Sequence, residues 1–320
     1  MRVHTDISHL PEFKRAVLTI GTFDGVHNGH KQILSKLTEA SKSIGGESVL
    51  VTFHPHPRKV VPGKSGDSLK LINTIEEKAS LLQEAGIDHL VIVPFTEEFS
   101  KLSARQYIES FLIEKFHPDT LIIGYDHRFG ASREGDFNML KNYSEQGKFR
   151  LLEIPAQLLH ENSISSTRVR EALVSGTLEE ARELLGYDFF FKGKVVEGNK
   201  LGRTIGFPTA NLDMENQEKI VPANGVYAVK VRLLTTDDSS ENNGRALLGM
   251  MNIGLRPTVG GQKRVIEVNL FEFSEMIYGR SLEVSLMAFL RKEKAFNGLE
   301  ALKQQLRIDQ AEAQSILSIQ

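Results

Sequence analysis

Along the first half of the chain, short apolar runs alternate with stretches of three-to-four periodicity. The runs lie at 16–20, 48–53, 90–95, 120–124 and 149–154. Each suits a strand buried on both faces of a parallel sheet. After the first run, Ile33, Leu34, Leu37 and Ala40 mark one face of a helix. Residues 74–85 open with a capping box, Thr74 and Glu77, and carry Ile75, Ala79 and Leu82 on one face before Gly86. Residues 103–116 open with another, Ser103 and Gln106, followed by inward-facing Tyr107, Ile108, Phe111 and Leu112. Strict alternation of strand and helix predicts a doubly wound parallel sheet with right-handed crossovers.

After Gly186 the pattern changes. Short turn-punctuated runs rich in β-branched and aromatic residues appear at Phe189–Val196, Gly225–Leu233, Arg245–Ile253, Val265–Phe273 and Leu282–Leu290. A polar insertion, Thr235 to Asn243, has the composition of an exposed hairpin tip. Five or six antiparallel strands at this spacing predict a small barrel, with a helix from about Leu299 to Ile319 packed on it. The expected domains are therefore 1–186, α/β, and 187–320, β with a C-terminal helix.

Composition narrows the class. The 320 residues are 40% hydrophobic and 25% charged, enough for two cores. A net charge of −2 suggests no nucleic-acid or anionic-membrane partner. The absence of cysteine excludes disulfides and cysteine-ligated zinc. With no apolar run of signal-peptide or spanning length, a soluble cytoplasmic protein is expected. Oligomeric state is not legible.

The candidate chemistry of the first half gathers where strands end and helices begin. The first run passes Gly21-Thr22-Phe23-Asp24-Gly25-Val26 into His27-Asn28-Gly29-His30, a Gly-rich turn with two histidines spaced i, i+3. Free N–H groups and the positive end of a helix dipole attract phosphate there. The histidines add donors whose charge can follow charge developing on a phosphate. A shared metal ion is the other chemistry open to such a pair. Later, Ile164-Ser165-Ser166-Thr167-Arg168 puts three hydroxyls and a cation at another helix start, without a capping-box partner. Gly63-Lys64-Ser65 imitates the end of a P-loop, but the leading glycine would fall at Arg58.

Residues 21–30 resemble the GxFDGVHxGH signature of the nucleotidyltransferase superfamily, in the form found in bacterial FAD synthetases. Thr52-Phe53-His54-Pro55-His56-Pro57 is similar to that family's TFxPHP segment. Gly124-Tyr125-Asp126-His127-Arg128-Phe129-Gly130 is similar to its GxDFRFG segment, with His127 replacing the usual Phe. Residues 164–170 are similar to its ISSTxxR. The resemblance implies a Rossmann-like nucleotidyltransferase domain. It further implies that ATP is held by Gly21, Phe23, His27, Gly29, His30, Asp126, Ser165, Ser166, Thr167 and Arg168.

In the second half the densest segment is Gly198-Asn199-Lys200-Leu201-Gly202-Arg203-Thr204-Ile205-Gly206-Phe207-Pro208-Thr209-Ala210-Asn211-Leu212. In an extended chain Thr209 and Asn211 share one side, offering hard neutral oxygens suited to Mg²⁺. An ordinary Gly-Pro turn is the competing reading of these residue types alone. The segment resembles the GRxxGFPTANL signature of riboflavin kinases. Residues 222–227 are similar to that family's PxNGVY flap, 252–258 to its NxGxRPT turn and 291–296 to its RxExxF segment. Glu267 matches its catalytic glutamate, although Asn269 stands where a His is usual.

Both halves together resemble a bacterial bifunctional riboflavin kinase/FMN adenylyltransferase. The resemblance implies Glu267 as general base and Asn211 and Thr209 as Mg²⁺ ligands. It also implies Gly198, Lys200, Gly202, Arg203, Gly206, Pro208, Tyr227 and Arg291 around ATP and flavin. The implied substrates and products are ATP, riboflavin, FMN and FAD. A flavin-binding regulator that kept the folds and lost one activity is the alternative, and only Asn269 and His127 hint at it.

Overall fold

The computed structural model describes residues 1–61, 69–124, 127–154, 164–198, 201–214, 216–234, 246–258 and 261–319. Asp126, Lys200, the P-loop-like Gly63-Lys64-Ser65 and the insertion at 235–243 lie outside them. The chain forms two compact units, Met1–Ser166 and Thr167–Gln320.

The first unit is a six-stranded parallel sheet. Its strands are β1 (Arg2–His4), β2 (Val17–Ile20), β3 (Ser48–His54), β4 (His89–Pro94), β5 (Thr120–Gly124) and β6 (Arg150–Ile154). They stand in the order β1-β4-β3-β2-β5-β6, so the chain doubles back at β2. The carboxyl end of β2 is therefore the switch point at which open α/β sheets bind ligands. Leu18, Val49, Val51, Val91 and Leu121 form part of the core on one face of the sheet; Val17, Leu50, Leu90 and Ile122 belong to the core on the other. Burial on both faces explains why these runs read as continuous rather than alternating. The edge strand β1 carries no apolar run (Arg2, Val3, His4), which is why the sequence pattern missed it.

Helices α1 (Asn28–Ile44), α2 (Ile75–Glu84) and α4 (Phe137–Glu145) are regular. Between α2 and α4, the helical run 104–116, here α3, departs from the simple pattern: Tyr107–Ile113 is π-helical. The wider turn seats Tyr107, Ile108, Phe111 and Leu112 together in the core. Both capping boxes form, Thr74 with Glu77 and Ser103 with Gln106.

The second unit opens with helices α5 (Ser166–Ser175, whose first residue closes the first unit) and α6 (Leu178–Leu185). A closed antiparallel barrel follows: β7 (Phe190–Val196), β8 (Ala210–Asp213), β9 (Gly225–Leu234), β10 (Leu247–Thr258), β11 (Gly261–Leu270) and β12 (Ser281–Arg291), in the order β10-β11-β8-β7-β12-β9. Closure removes the free edges. Helix α7 (Leu299–Ile319) buries Ala313 and Leu317 in one cluster with Ala228, Met250 and Met287. The two helices before the barrel belong to it physically. The Ala223 N–H donates to the Leu173 carbonyl, and the Arg182 guanidinium donates to Asp188 at 2.5 Å and to the Met287 carbonyl.

The Thr74 cap accepts from the Glu77 N–H while the Glu77 carboxylate accepts from the Thr74 N–H. Thr74→Ala should therefore cost about 1 kcal/mol, read as a lower urea midpoint at unchanged slope.

Candidate functional sites

In the first unit the site grows from the turn between β2 and α1. Phe23 and Val26 have φ of 44° and 37°, and Gly25 between them has 92°. A β-branched residue in the left-handed region is strained, at a cost of about 1–3 kcal/mol. Glycine is required at 25, where a Cβ would also press on the Ile72 side chain at 2.9 Å. Buried contacts hold the turn. The Asp24 carboxylate, 2% exposed, accepts from the N–H groups of Ile72 at 3.0 Å and Asn73 at 3.2 Å. The Asp24 carbonyl accepts from the Ser166 hydroxyl at 2.8 Å, bringing the serine-rich segment to the same loop.

The turn delivers the histidines. His27 caps α1, its Nδ1 accepting from the His30 N–H at 3.3 Å. The two rings stack at 3.6 Å between centroids and 13° between planes, and Phe23 leans on His30 at 4.9 Å. Such stacking is compatible with at most one charged ring. Burial, then the His27 ring, then the Lys78 ammonium push the His30 pKa well below the ordinary value. His30 is thus a neutral ring at physiological pH, offering a directed donor rather than a titrating charge. Its Nδ1 is buried with no hydrogen-bond partner among the described residues. Gly21 and Gly29 bracket this turn, Gly29 in the first turn of α1.

Of the remaining expected groups, Ser165, Thr167 and Arg168 stand at and within the start of α5, where Arg168 bonds Glu180 at 2.7 Å. In the 52–57 segment, His56 caps a single turn, Pro57–Val60, by accepting from the Arg58 N–H. His127 stacks on Phe129 at 5.8 Å, the place of one aromatic ring against another. No group of three or more His, Cys, Asp or Glu able to hold a metal ion exists among the described residues.

The sequence reading missed Lys78. Its ammonium donates to the Thr22 carbonyl at 2.6 Å and reaches the Thr52 hydroxyl at 3.4 Å. It is 6% exposed, and burial lowers its pKa to about 8 against the opposing pull of Asp24. The available signal was position: Lys78 lies between Ile75 and Leu82 on the inward face of α2.

In the second unit a cavity of about 310 Å³ opens beside β10 and β11, lined among others by Gly202, Thr209, Asn252, Glu267, Asn269 and Arg291. Antiparallel register sets Glu267 opposite Asn211 on one side and Asn252 on the other. Arg256 bonds the Glu267 carboxylate at 2.5 Å. Asn211 needs a glycine beside it, since a Cβ on Gly198 would fall 2.0 Å from its amide nitrogen. Asn269 donates to the Pro208 carbonyl at 2.6 Å, fixing the residue before Thr209. Arg203 lies in the short helix Leu201–Thr204, and Gly206 turns the chain back with φ of 85°.

Two expected flavin contacts have other partners. Tyr227 does not line the cavity: it is fully buried, its hydroxyl donates to the Ala223 carbonyl at 2.6 Å, and its ring meets Phe289 edge-on. Arg291 does line the cavity, but its guanidinium is engaged by Asp309 of α7 through bonds of 2.8 and 2.6 Å. Asp309 is fully buried.

Comparison with known proteins gives a consistent picture. A family model described as FAD synthetase matches residues 10–168, and one described as riboflavin kinase matches 185–317. A bifunctional riboflavin kinase/FMN adenylyltransferase of Listeria monocytogenes is 36% identical over 303 residues, 94% of this chain and 92% of that protein. The Escherichia coli K12 protein of the same description is 36% identical over 314 residues, 98% and 96% of the two chains. A crystal structure described as a macrolide-efflux protein from Streptococcus pneumoniae matches with a TM-score of 0.86 and 28% identity, over 98% of each chain. No helix among the described residues is long and apolar enough to cross a membrane.

Asp309→Ala would leave the Arg291 guanidinium without its buried counter-ion. The expected result is a loss of about 3–5 kcal/mol in the stability of the barrel unit, measured by urea unfolding.

Proposed function

The chain belongs to the bifunctional riboflavin kinase/FMN adenylyltransferase family, and from this premise we propose that it makes FAD from riboflavin in two ATP-dependent steps. The observation that carries this reading is one chain bearing both a histidine-capped helix start at the switch point of a parallel sheet and a barrel cavity edged by Glu267 and Asn211.

In the barrel unit, Glu267 takes the proton of the riboflavin 5′-hydroxyl as that oxygen attacks the γ-phosphorus of ATP, giving FMN and ADP. Arg256 orients the carboxylate. Thr209 and Asn211 are the residues that would hold Mg²⁺. Their hydroxyl and amide oxygens are hard donors; Thr209 lines the cavity and Asn211 lies opposite Glu267 in register, and this donor chemistry supports the fit. Bound there, the ion would neutralise charge on the ATP phosphates. Asn269 donates to the Pro208 carbonyl and so steadies the segment that bears Thr209 and Asn211. Gly202, Gly206 and Arg291 shape the same site.

In the sheet unit, a phosphate oxygen of FMN attacks the α-phosphorus of a second ATP. The bond to the β-phosphate breaks, and pyrophosphate leaves. A phosphate is already nucleophilic, so the residues position and stabilise rather than remove a proton. Neutral His30 and the first N–H groups of α1 donate to phosphate oxygens, while His27 fixes the ring beside it. Ser165 and Ser166 supply further donors, and by the family resemblance Asp126 orients the nucleotide. On the barrel side Lys200 and Arg203 add positive charge for ATP.

Riboflavin, ATP and Mg²⁺ incubated with the protein should yield FMN and then FAD, separated by chromatography. His30→Ala should stop the sequence at FMN, with FAD formation falling about 10²–10³-fold. Glu267→Gln should abolish FMN formation yet still convert added FMN to FAD. Absence of both flavin products from the wild-type protein would overturn the reading.

A further inference from the structure

The mechanism above uses the histidines but not what holds them. We propose that Lys78 is a positioning residue for adenylyl transfer: its buried ammonium clamps the strained turn between β2 and α1 to the end of β3, and so fixes where His27 and His30 meet the nucleotide. The proposal rests on the adenylyltransferase reading of this unit.

Two elements converge on the Thr22 carbonyl. From α2 comes the Lys78 ammonium at 2.6 Å, and from β3 the Thr52 hydroxyl at 3.1 Å; lysine and threonine are themselves 3.4 Å apart. One residue further on, the backbone enters the left-handed region at Phe23, and again at Gly25 and Val26. A strained backbone persists only where surrounding contacts over-determine it. Asp24 anchors the middle of the turn to the Ile72 and Asn73 amides, and Lys78 anchors its beginning.

A buried ammonium is a costly choice for a merely structural clamp, since an apolar side chain of equal volume is often as stable or more so. The charge therefore has a use in this place. The charged and titratable groups that act on it are Asp24 in the turn, which opposes its deprotonation, and His30 on α1, whose protonation it disfavours. Glu77 precedes it on its own helix, engaged with the Thr74 cap. The ammonium adds positive potential beneath the helix start where phosphate would bind, without occupying the surface that the ligand needs.

The test uses the full-length protein with FMN and ATP, following FAD over pH 6–9, and riboflavin phosphorylation as an internal control. Lys78→Met should lower kcat for FAD formation about tenfold or more, change the KM for FMN less than about threefold, and leave riboflavin phosphorylation intact. A readout specific to the charge comes from pH. In the wild type, kcat should fall as pH rises through about 8, where the lysine loses its proton. In Lys78→Arg, whose guanidinium stays charged, that alkaline fall should vanish, and activity at pH 7 should exceed that of Lys78→Met. Methionine also removes a positive neighbour of His30, so the imidazole pKa read by NMR should rise towards its ordinary value.

FAD formation by Lys78→Met within threefold of wild type, or an alkaline fall unchanged in Lys78→Arg, would overturn the proposal while leaving the activity standing. A wild-type protein that makes no FAD from FMN would instead overturn the activity and the proposal together. If Lys78→Met lost its cooperative unfolding transition, Thr52→Val would decide. A reduced kcat at unchanged melting temperature supports the clamp, and a wild-type kcat overturns it.

Discussion

The turn between β2 and α1 is strained, and its strain is held by buried polar contacts. Phe23, Gly25 and Val26 all have positive φ within four residues. A local bond from the Val26 N–H to the Phe23 carbonyl at 3.3 Å closes the turn, and buried contacts from remote segments add to it. Asp24 binds two backbone amides of the 72–73 segment, and Lys78 and Thr52 bind the Thr22 carbonyl. These contacts come from chain segments about 30 to 56 residues away in sequence. The loop can therefore have this shape only once β3 and α2 have packed around it. The reward is geometric: His27 caps α1 with its ring stacked flat on His30, and the neutral His30 ring has a donor to direct at a ligand.

The barrel unit solves a comparable problem with register instead of strain. Antiparallel pairing of β11 with β8 and β10 sets Glu267 between Asn211 and Asn252, and one slipped residue would turn the carboxylate to the opposite face. Asn269, two positions on, points to the same face and ties the Pro208 carbonyl, so the strand that bears the base also steadies the segment bearing Thr209 and Asn211. Farther round, the bidentate Arg291–Asp309 pair fastens α7 to the cavity wall. Polar groups thus fix the site's edges, while the barrel's apolar interior supplies the bulk of the stability.

Much of this was written along the chain in local terms. Burial of β2 to β5 on both faces makes their runs continuous, caps mark the helix starts, and turn-rich β-branched runs mark the barrel; these signals depend on neighbours in sequence and were readable from it. The tight motifs at 21–30 and 198–212 likewise carry their chemistry in adjacent residues, which is why the histidine pair and the Thr209–Asn211 pair could be named at once. Short, polar β1 had no such signal, and the π-helical turn at 107–113 has no periodicity that separates it from an ordinary helix.

What tertiary structure alone decided are the partners of long, charged and aromatic side chains. Lys78 looked like one lysine among many, and only packing shows its ammonium under the Thr22 carbonyl. Tyr227, expected near ATP and flavin, is buried with its hydroxyl on the Ala223 carbonyl; Arg291 also answers to Asp309, and Arg256 to Glu267. Residue type and spacing record which groups a chain can offer. Burial and the distance to a partner remote in sequence decide what each group's charge does, and both exist only once the chain has folded.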